Sequence, residues 1–308
     1  MAKYVYGPVP SRRLGRSLGI DLFNGKSCTI DCVYCQLGSH PPLAPFRRRF
    51  IDPEAVIAEL AEKVNKGVEA DYITFSGSGE PTLSSDLGMI IEFAKGLKTA
   101  PVCVLTNGTL LWNPEVRKEL ANADVVIPNL DSADTETFRK VNRPHPDLDF
   151  DKIIDGLLQF SREYKGKLLF EIVLIAGLND SDEHLAKLAD LVKIISPDGV
   201  WVGTIYRPPA ESFAKPIDAE RLKKARDIIG GSARVIESFK AKDIDSHYAN
   251  VIEEVRGLIK RRPETVSGIA KSLGINEHEV FKAVSILEKA REVERKKVDD
   301  RVFFEFIR

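Results

Sequence analysis

An alternation of apolar strands with amphipathic helices runs through most of this 308-residue chain, and it constrains the fold more than any other feature. The predicted strands are rich in β-branched and aromatic residues and span 17–23, 71–77, 101–108, 124–131, 167–177 and 199–209. Helical patterns separate them; in the pattern over 52–67, Asp52 is the predicted cap and Pro53 takes the first helical position. Apolar strands that alternate with helices are typical of a parallel sheet with crossover helices. The chain is therefore predicted to have an α/β fold.

Polar and turn residues collect where the predicted strands end. They occur at 76–80, 106–108, 129–131, 179–180 and 207–209. The carboxyl ends of parallel strands meet at one edge of a sheet, and in α/β barrels that edge carries the active site. A loop with three cysteines follows the first strand and is predicted to open onto the same face.

The composition changes after about residue 245, so a first domain is assigned to 1–245. Beyond it, a helix-turn-helix pair turns at Gly274, and the last segment alternates as a β-hairpin does around Asp299-Asp300. Three helices and a hairpin predict a winged-helix module over 250–308. Its would-be recognition helix, 276–290, carries three glutamates against two lysines, so major-groove reading of DNA is not expected. RNA contact through a basic stretch and a docking role both stay open.

Three of the four cysteines, Cys28, Cys32 and Cys35, lie within eight residues in the spacing C-x3-C-x2-C. Cys103 lies mid-strand among apolar residues, where a free cysteine is a small core side chain. No apolar run approaches the ~20 residues of a membrane span, and the N-terminus carries no apolar signal core. We therefore expect a cytoplasmic protein without a membrane span, in which clustered cysteines are more often metal ligands or redox groups than disulfides.

Different kinds of site fit these three thiols. One is a structural zinc site with His40 as the fourth ligand, which would make the chain a zinc-knuckle regulator that binds nucleic acid through its winged helix. Another is a redox pair with a spare thiol. The third is a [4Fe–4S] cluster, which usually takes four cysteines and here would keep one iron without a protein ligand. An open metal position is typical of catalytic sites.

The segment CTIDCVYC (28–35) resembles the C-x3-C-x-aromatic-C signature of the radical S-adenosylmethionine (radical SAM) enzymes. The resemblance implies a partial (βα)6 TIM-like barrel with parallel strands, a [4Fe–4S] cluster on the three cysteines, and S-adenosylmethionine chelated by the open iron. In that family one electron, expected here from a flavodoxin or ferredoxin, cleaves the cofactor to methionine and a 5′-deoxyadenosyl radical. The radical then removes hydrogen from a substrate. Tyr34, between the last two cysteines, is an expected neighbour of the adenine.

Strand-end motifs extend this resemblance over about residues 10–240. SGSGEP (76–81) is similar to the family's Gly-Gly-Glu-Pro motif, which binds the amino group of the cofactor, with Ser78 in place of its first glycine. The cofactor contacts that the resemblance implies beyond Tyr34 are Ser78, Gly79, Glu80, Asn107, Asn129, Asp131, Ile175 and Gly177. Taken alone, Gly-x-Gly-Glu-Pro and TNGT (106–109) are also common turns.

Three segments, 10–21, 130–144 and 207–211, resemble the wyosine-base tRNA synthases, a branch of the same superfamily. This likeness implies a tRNA base as substrate, although a peptide or a small molecule stays open. Wyosine synthases carry a second cluster on upstream cysteines, and no cysteine precedes Cys28 here, so the likeness does not extend to a second cluster.

Basic residues flank the cysteine loop although the net charge of the chain is only −1. The candidate phosphate contacts are Arg12, Arg13, Arg16 and Arg47–Arg49. A solvated basic rim is the simpler interpretation of this set. Lys26 is a candidate for a Schiff base with a carbonyl substrate, and an ordinary surface lysine is again the simpler interpretation.

Overall fold

The structure, a computed structural model, describes residues 4–206, 209–236, 246–261, 263–298 and 301–307. Arg207 and Pro208, predicted to follow the sixth strand, lie outside the described residues, as does the predicted turn at Asp299-Asp300.

One eight-stranded sheet, with its strands in sequence order, forms the centre of the larger part of the chain. Its strands are β1 (Val5–Ser11), β2 (Gly15–Ile20), β3 (Tyr72–Phe75), β4 (Val102–Thr106), β5 (Val125–Pro128), β6 (Lys167–Leu174), β7 (Gly199–Thr204) and β8 (Ala233–Val235). β1 pairs with β2 antiparallel, and each later pair of neighbours is parallel. The predicted α/β class and parallel sheet are confirmed, and the sheet is consistent with a partial barrel.

Two strands, β1 and β8, are absent from the six-strand sequence prediction. β1 contains two prolines and a glycine, residues that argue against a strand, but it lies at the sheet edge, where a missing N–H donor is tolerated. β8 has only three residues, which is too short for a periodic pattern to reveal it.

Seven helices of the described residues connect the strands of the sheet. They are α1 (Pro53–Asn65), α2 (Leu87–Gly96), α3 (Pro114–Leu120), α4 (Thr135–Val141), α5 (Phe150–Glu163), α6 (Asp182–Ile195) and α7 (Ala219–Ile229). The Asp52 side chain accepts a hydrogen bond from the Glu54 N–H, so the predicted cap of α1 is confirmed. Within the described ranges, no helix combines the length and the apolar composition that crossing a membrane requires.

The main hydrophobic core lies between the sheet and these helices, and Leu60, Phe75 and Phe170 are almost completely buried in it. Cys103 is completely buried in a smaller cluster with Val125 and Ile127, so its predicted core position is confirmed. Burial also raises the pKa of the Cys103 thiol above its usual range.

The C-terminal part contains α8 (Ser246–Arg261), α9 (Val266–Leu273), α10 (Glu277–Lys289) and an antiparallel hairpin of β9 (Val293–Val298) and β10 (Arg301–Phe306). These are the predicted three helices and hairpin, while the winged-helix assignment and the domain boundaries stay predictions. The hydrophobic cluster of this part includes Tyr6 and Val9 of β1. The C-terminal part therefore packs on the antiparallel edge of the sheet.

Candidate active site

A cavity of about 370 Å³ brings together the cysteine loop and the strand ends. Its lining includes all three clustered cysteines and five of the predicted cofactor contacts: Tyr34, Gly79, Glu80, Asn107 and Asn129. The remaining predicted contacts, Ser78, Asp131, Ile175 and Gly177, are not among the described residues that line the cavity. The structure therefore gathers the cysteines with the motifs after β3, β4 and β5.

Two asparagine side chains donate hydrogen bonds to the cysteine loop. Asn107 donates from Nδ2 to Cys28 Sγ at 3.4 Å and to Thr29 Oγ1 at 2.9 Å. Asn142 donates from Nδ2 to Cys32 Sγ at 3.4 Å. Amide donors that reach sulfur favour the thiolate over the thiol, which is the form that binds a metal.

The thiols of Cys28 and Cys32 are buried. Burial raises the pKa of Cys28 to about 12 and holds the pKa of Cys32 well above its usual range. A buried thiolate is costly unless positive charge compensates it, and iron supplies that charge to soft sulfur ligands. Two such thiols, together with the partly exposed Cys35 on the same cavity, therefore suit a metal centre.

The arrangement fits a cluster better than a single zinc ion. Among the described residues, no three His, Cys, Asp or Glu side chains converge as ligands of one metal ion. His40 is exposed, and its Nδ1 lies 2.8 Å from the Pro41 carbonyl oxygen. A structural zinc site needs four convergent protein ligands, whereas a cubane cluster spreads its thiolates over different irons. Cys28, Cys32 and Cys35 would hold three irons of such a cluster and leave the fourth open to the cavity.

The loop Gly77–Glu80 lies directly against the start of the cysteine loop. The Ser27 N–H donates to the Ser78 carbonyl at 2.9 Å, and the Glu80 N–H donates to the Ser27 carbonyl at 2.8 Å. A Cβ at Gly79 would lie 1.8 Å from that Ser27 oxygen, so only glycine permits this approach. The motif is therefore more than a turn here, because its glycine joins two loops of the site.

Glu80 ties the ends of β3 and β4 together beside the cavity. Its side chain is almost completely buried and accepts four hydrogen bonds from Thr82, Thr106 and Asn107. Three of the four donors meet Oε1, so Oε2 has room for a further donor from a ligand. Burial is the main reason why the pKa of Glu80 is raised. The amino-group contact predicted for Glu80 is compatible with this geometry and stays a prediction.

Asp131 lies behind Tyr34. The Tyr34 hydroxyl donates to Asp131 Oδ2, which also accepts from Asn142 Nδ2 at 3.0 Å, and Oδ1 accepts from the Val173 N–H at 2.8 Å. Burial raises the pKa of Asp131 to about 6. Asp131 thus links Tyr34 to Asn142, which donates a hydrogen bond to Cys32. Asp131 therefore holds two residues of the site in place without lining the cavity itself. The ribose contact predicted for Asp131 stays untested.

We expect Asp131→Asn to lower the free energy of unfolding by about 1–3 kcal/mol. Both carboxylate oxygens of Asp131 accept hydrogen bonds, and the NH2 group of asparagine would bring a donor against one of these donors. Urea unfolding of the two proteins under anaerobic conditions measures the difference. Asp155→Asn, an exposed position on α5, is the matched control and should be neutral. Equal stability of all three proteins would contradict the supporting role of Asp131.

The fifth-strand contacts lie apart from the cavity. Ile175 is completely buried in a cluster with Val33 and Val141, and Gly177 is exposed, with φ +73°, in the turn after β6. Ile175 thus packs beneath the cysteine loop through Val33, the neighbour of Cys32. Adenine contact by Ile175 and Gly177 stays a prediction.

Several lining residues escape pattern reasoning. Glu171, the one charge in the apolar interior of β6, pairs with Arg13 at 2.5 Å, and its position between apolar residues is a signal that could have found it. The Lys26 side chain is only 9% exposed and pairs with Asp31 at 2.5 Å, so its interpretation as a surface lysine is wrong. Helix α10 contributes His278 and Lys282 to the lining, and no sequence signal brings this helix to the site.

Comparison with known proteins agrees with this geometry. The family model of the Radical SAM superfamily matches residues 25–189. The UPF0026 protein MJ1312 of Methanocaldococcus jannaschii is 35% identical over 265 residues, which are 84% of this chain and 82% of that protein. A protein named GTPase Obg from Brachyspira hyodysenteriae is 36% identical over 294 residues, or 94% of this chain, but the chain spans only 43% of its length.

Two solved structures share the fold. One is described as the structure of TYW1 with a lysine-pyruvate adduct bound; it has a TM-score of 0.53 and 18% identity, and the match covers 70% of this chain and 73% of that one. The other is a radical SAM methyltransferase from Sphaerobacter thermophilus, with a TM-score of 0.54, 20% identity, and coverage of 71% and 65%. At these identities the likeness concerns the fold alone.

Proposed function

The chain belongs to the radical SAM superfamily and to the UPF0026 protein family, and we propose that it uses its cysteine-lined cavity to remove a hydrogen atom from an organic substrate. Members of the superfamily bind a [4Fe–4S] cluster and S-adenosylmethionine. When bound, this pair supplies a one-electron reductive cleavage that yields methionine and a 5′-deoxyadenosyl radical. The observation that carries the proposal is that Cys28, Cys32 and Cys35 line one cavity with Gly79 and Glu80.

Each part of the cavity has a role in this proposal. The three cysteines bind the cluster, and the amides of Asn107 and Asn142 favour the thiolate form of Cys28 and Cys32. The open Oε2 of Glu80 suits an ammonium group, because a carboxylate in a water-poor site is a strong acceptor for a charged donor. Tyr34, oriented by Asp131, forms one wall. The electron donor is proposed to be a flavodoxin or a ferredoxin in a reducing, cytoplasmic compartment.

For the substrate, we propose the narrower candidate of a tRNA base. Support comes from the likeness of residues 10–21 to wyosine synthases and from Arg12, which lines the cavity. Arg13 also lines the cavity, but it pairs with Glu171 at 2.5 Å. The rest of the basic rim gives less support. Arg16 pairs with Asp71 at 3.5 Å, and Arg47 and Arg49 pair with Glu119 and Asp86 at 2.5 Å and 2.8 Å. Ion pairs within the chain compete with phosphate contacts.

Anaerobic reconstitution of the full chain with iron and sulfide is expected to produce a brown protein with about four irons per chain. Dithionite and S-adenosylmethionine should then release 5′-deoxyadenosine, which chromatography with mass spectrometry measures. A colourless protein that is purified without air and holds one zinc per chain would instead support the zinc-knuckle regulator. Loss of a single tRNA modification in a deletion strain, read by mass spectrometry of digested tRNA, tests the narrower proposal separately.

A further inference from the structure

Helix α10 of the C-terminal part reaches the wall of the cavity. His278, Phe281 and Lys282, which lie on successive turns of one helix face, are all part of the lining. The His278 side chain is mostly buried between β1 and the loop Gly77–Glu80. The helix at the recognition position of the predicted winged helix therefore faces the candidate active site.

The His278 imidazole joins two residues of the larger domain. Its Nε2 lies 2.9 Å from Asp21 Oδ2 and 3.1 Å from Ser78 Oγ. Ser78 itself directs its hydroxyl, at 2.6 Å, and its N–H, at 3.1 Å, to the same Asp21 oxygen. A carboxylate oxygen only accepts, and the Ser78 hydroxyl proton is already used, so Nε2 must carry a hydrogen and donate to both partners. Three donor groups thus converge on one oxygen of Asp21.

The surroundings fix the imidazole in this position. Tyr6 of β1 stacks on it with ring centroids 5.1 Å apart and an angle of 27° between the planes. The Tyr6 hydroxyl lies 3.0 Å from Ser76 Oγ, at the end of β3. The next residue of α10, Glu279, accepts a hydrogen bond from the Gly7 N–H at 2.5 Å. The His278 ring is held by stacking on Tyr6 and by its hydrogen bonds to Asp21 and Ser78, so it is pre-organised to keep Ser78 in place.

We propose that His278 is a positioning residue for the cofactor loop, so that the C-terminal module completes the active site. The inference rests on the proposed function, because it assumes that the loop Gly77–Glu80 binds S-adenosylmethionine. Ser78 is the one place where this loop departs from the family's glycine motif, and its hydroxyl is the group that receives His278. The Ser78 carbonyl accepts from the Ser27 N–H, so a shift of Ser78 would also reach the residue that precedes Cys28.

The test is isothermal titration of S-adenosylmethionine into the reconstituted, unreduced full chain, in which binding is measured without turnover. His278→Ala is expected to raise the Kd about tenfold, since it removes the hydrogen bonds to Asp21 and Ser78 that help the loop Gly77–Glu80 to hold its shape. His278→Gln should stay within about twofold of wild type, because its amide nitrogen can donate from a similar distance. This rescue separates a positioning role from a general loss of packing.

Glu279→Ala is the matched control on the same helix. It removes the acceptor of the Gly7 N–H and so weakens docking of the module, yet it leaves His278, Asp21 and Ser78 in place. We expect a lower melting temperature and a Kd within about twofold of wild type. Ser78→Gly removes the hydroxyl that His278 contacts and leaves the C-terminal module unchanged. This variant should raise the Kd severalfold.

Two results would overturn the inference: a wild-type Kd in both His278→Ala and Ser78→Gly, or a loss in Glu279→Ala as large as in His278→Ala. If His278→Ala does not fold, the inference is tested by Ser78→Gly alone. A wild-type Kd in that variant rejects positioning of the loop by His278. Failure of the proposed function is a separate observation. In that case the wild-type chain itself binds no S-adenosylmethionine and releases no 5′-deoxyadenosine.

Discussion

Replacement of Cys32 by alanine is expected to abolish the release of 5′-deoxyadenosine. Cys32 is 9% exposed, lines the cavity and accepts a hydrogen bond from Asn142. With three cysteines as the only ligand set in the motif, the loss of one leaves two irons without a protein thiolate, and a cubane cluster is not retained on two ligands. Iron content should fall by at least about half, and the product should fall below detection, a loss of more than about 10³-fold.

Cys103→Ala provides the matched control for this experiment. Cys103 is also a buried free cysteine, but it belongs to a core cluster and not to the cavity. Its removal should cost roughly 1 kcal/mol of stability through the small cavity that it leaves, with iron content and product unchanged. If Cys32→Ala produced as much 5′-deoxyadenosine as wild type, the assignment of the cluster to these thiols would be rejected. Equal losses in the two variants would point to general unfolding.

The second large effect is expected from Gly79→Ala. The added Cβ would lie 1.8 Å from the Ser27 carbonyl oxygen, so either the loop Gly77–Glu80 or the start of the cysteine loop must move. Forced overpacking of this kind costs about 1–3 kcal/mol of stability. Because a misplacement of about 1 Å in a site can reduce rate about 10²-fold, we expect a similar loss of 5′-deoxyadenosine formation.

Gly96→Ala is the control for the glycine experiment. Gly96 is the last residue of α2, and a Cβ there would meet nothing within 4 Å. Alanine favours helix over glycine, so this variant should be neutral or slightly more stable. Urea unfolding measures stability, and a single-turnover assay with dithionite measures product. A Gly79→Ala protein with wild-type stability and product would show that the two loops do not depend on this close contact.

Local signals account for what could be predicted. Strands β2 to β7 stand out because β-branched and apolar runs with turn residues behind them need no distant information. Asp52 and Pro53 mark the start of α1 for the same reason, since a cap acts over only three residues. The three cysteines also lie within one short loop, so the proposed ligand set of the cluster follows from neighbours along the chain.

Other features depend on residues that are far apart in sequence. β1 reads as a poor strand, and it forms because its edge position tolerates its prolines. Lys26 resembles a surface lysine in the sequence, but in the structure its Nζ lies 2.5 Å from Asp31 Oδ1 and 2.5 Å from the Gly38 carbonyl oxygen. Asp131 ends a strand as a ligand contact would, but its carboxylate is directed to Tyr34, Asn142 and the Val173 N–H.

The sequence by itself determined the α/β class, the positions of strands β2 to β7 along the chain and the loop of three thiols, because periodicity, capping and ligand spacing are short-range properties of the chain. Only the tertiary structure decided which strand ends share the cavity with those thiols. It also decided that α10 faces the cavity, since His278 and Ser78 are separated by 200 positions and meet only through the packing of the C-terminal part on β1. Helical periodicity identifies an apolar face, but it carries no information about which surface that face will cover.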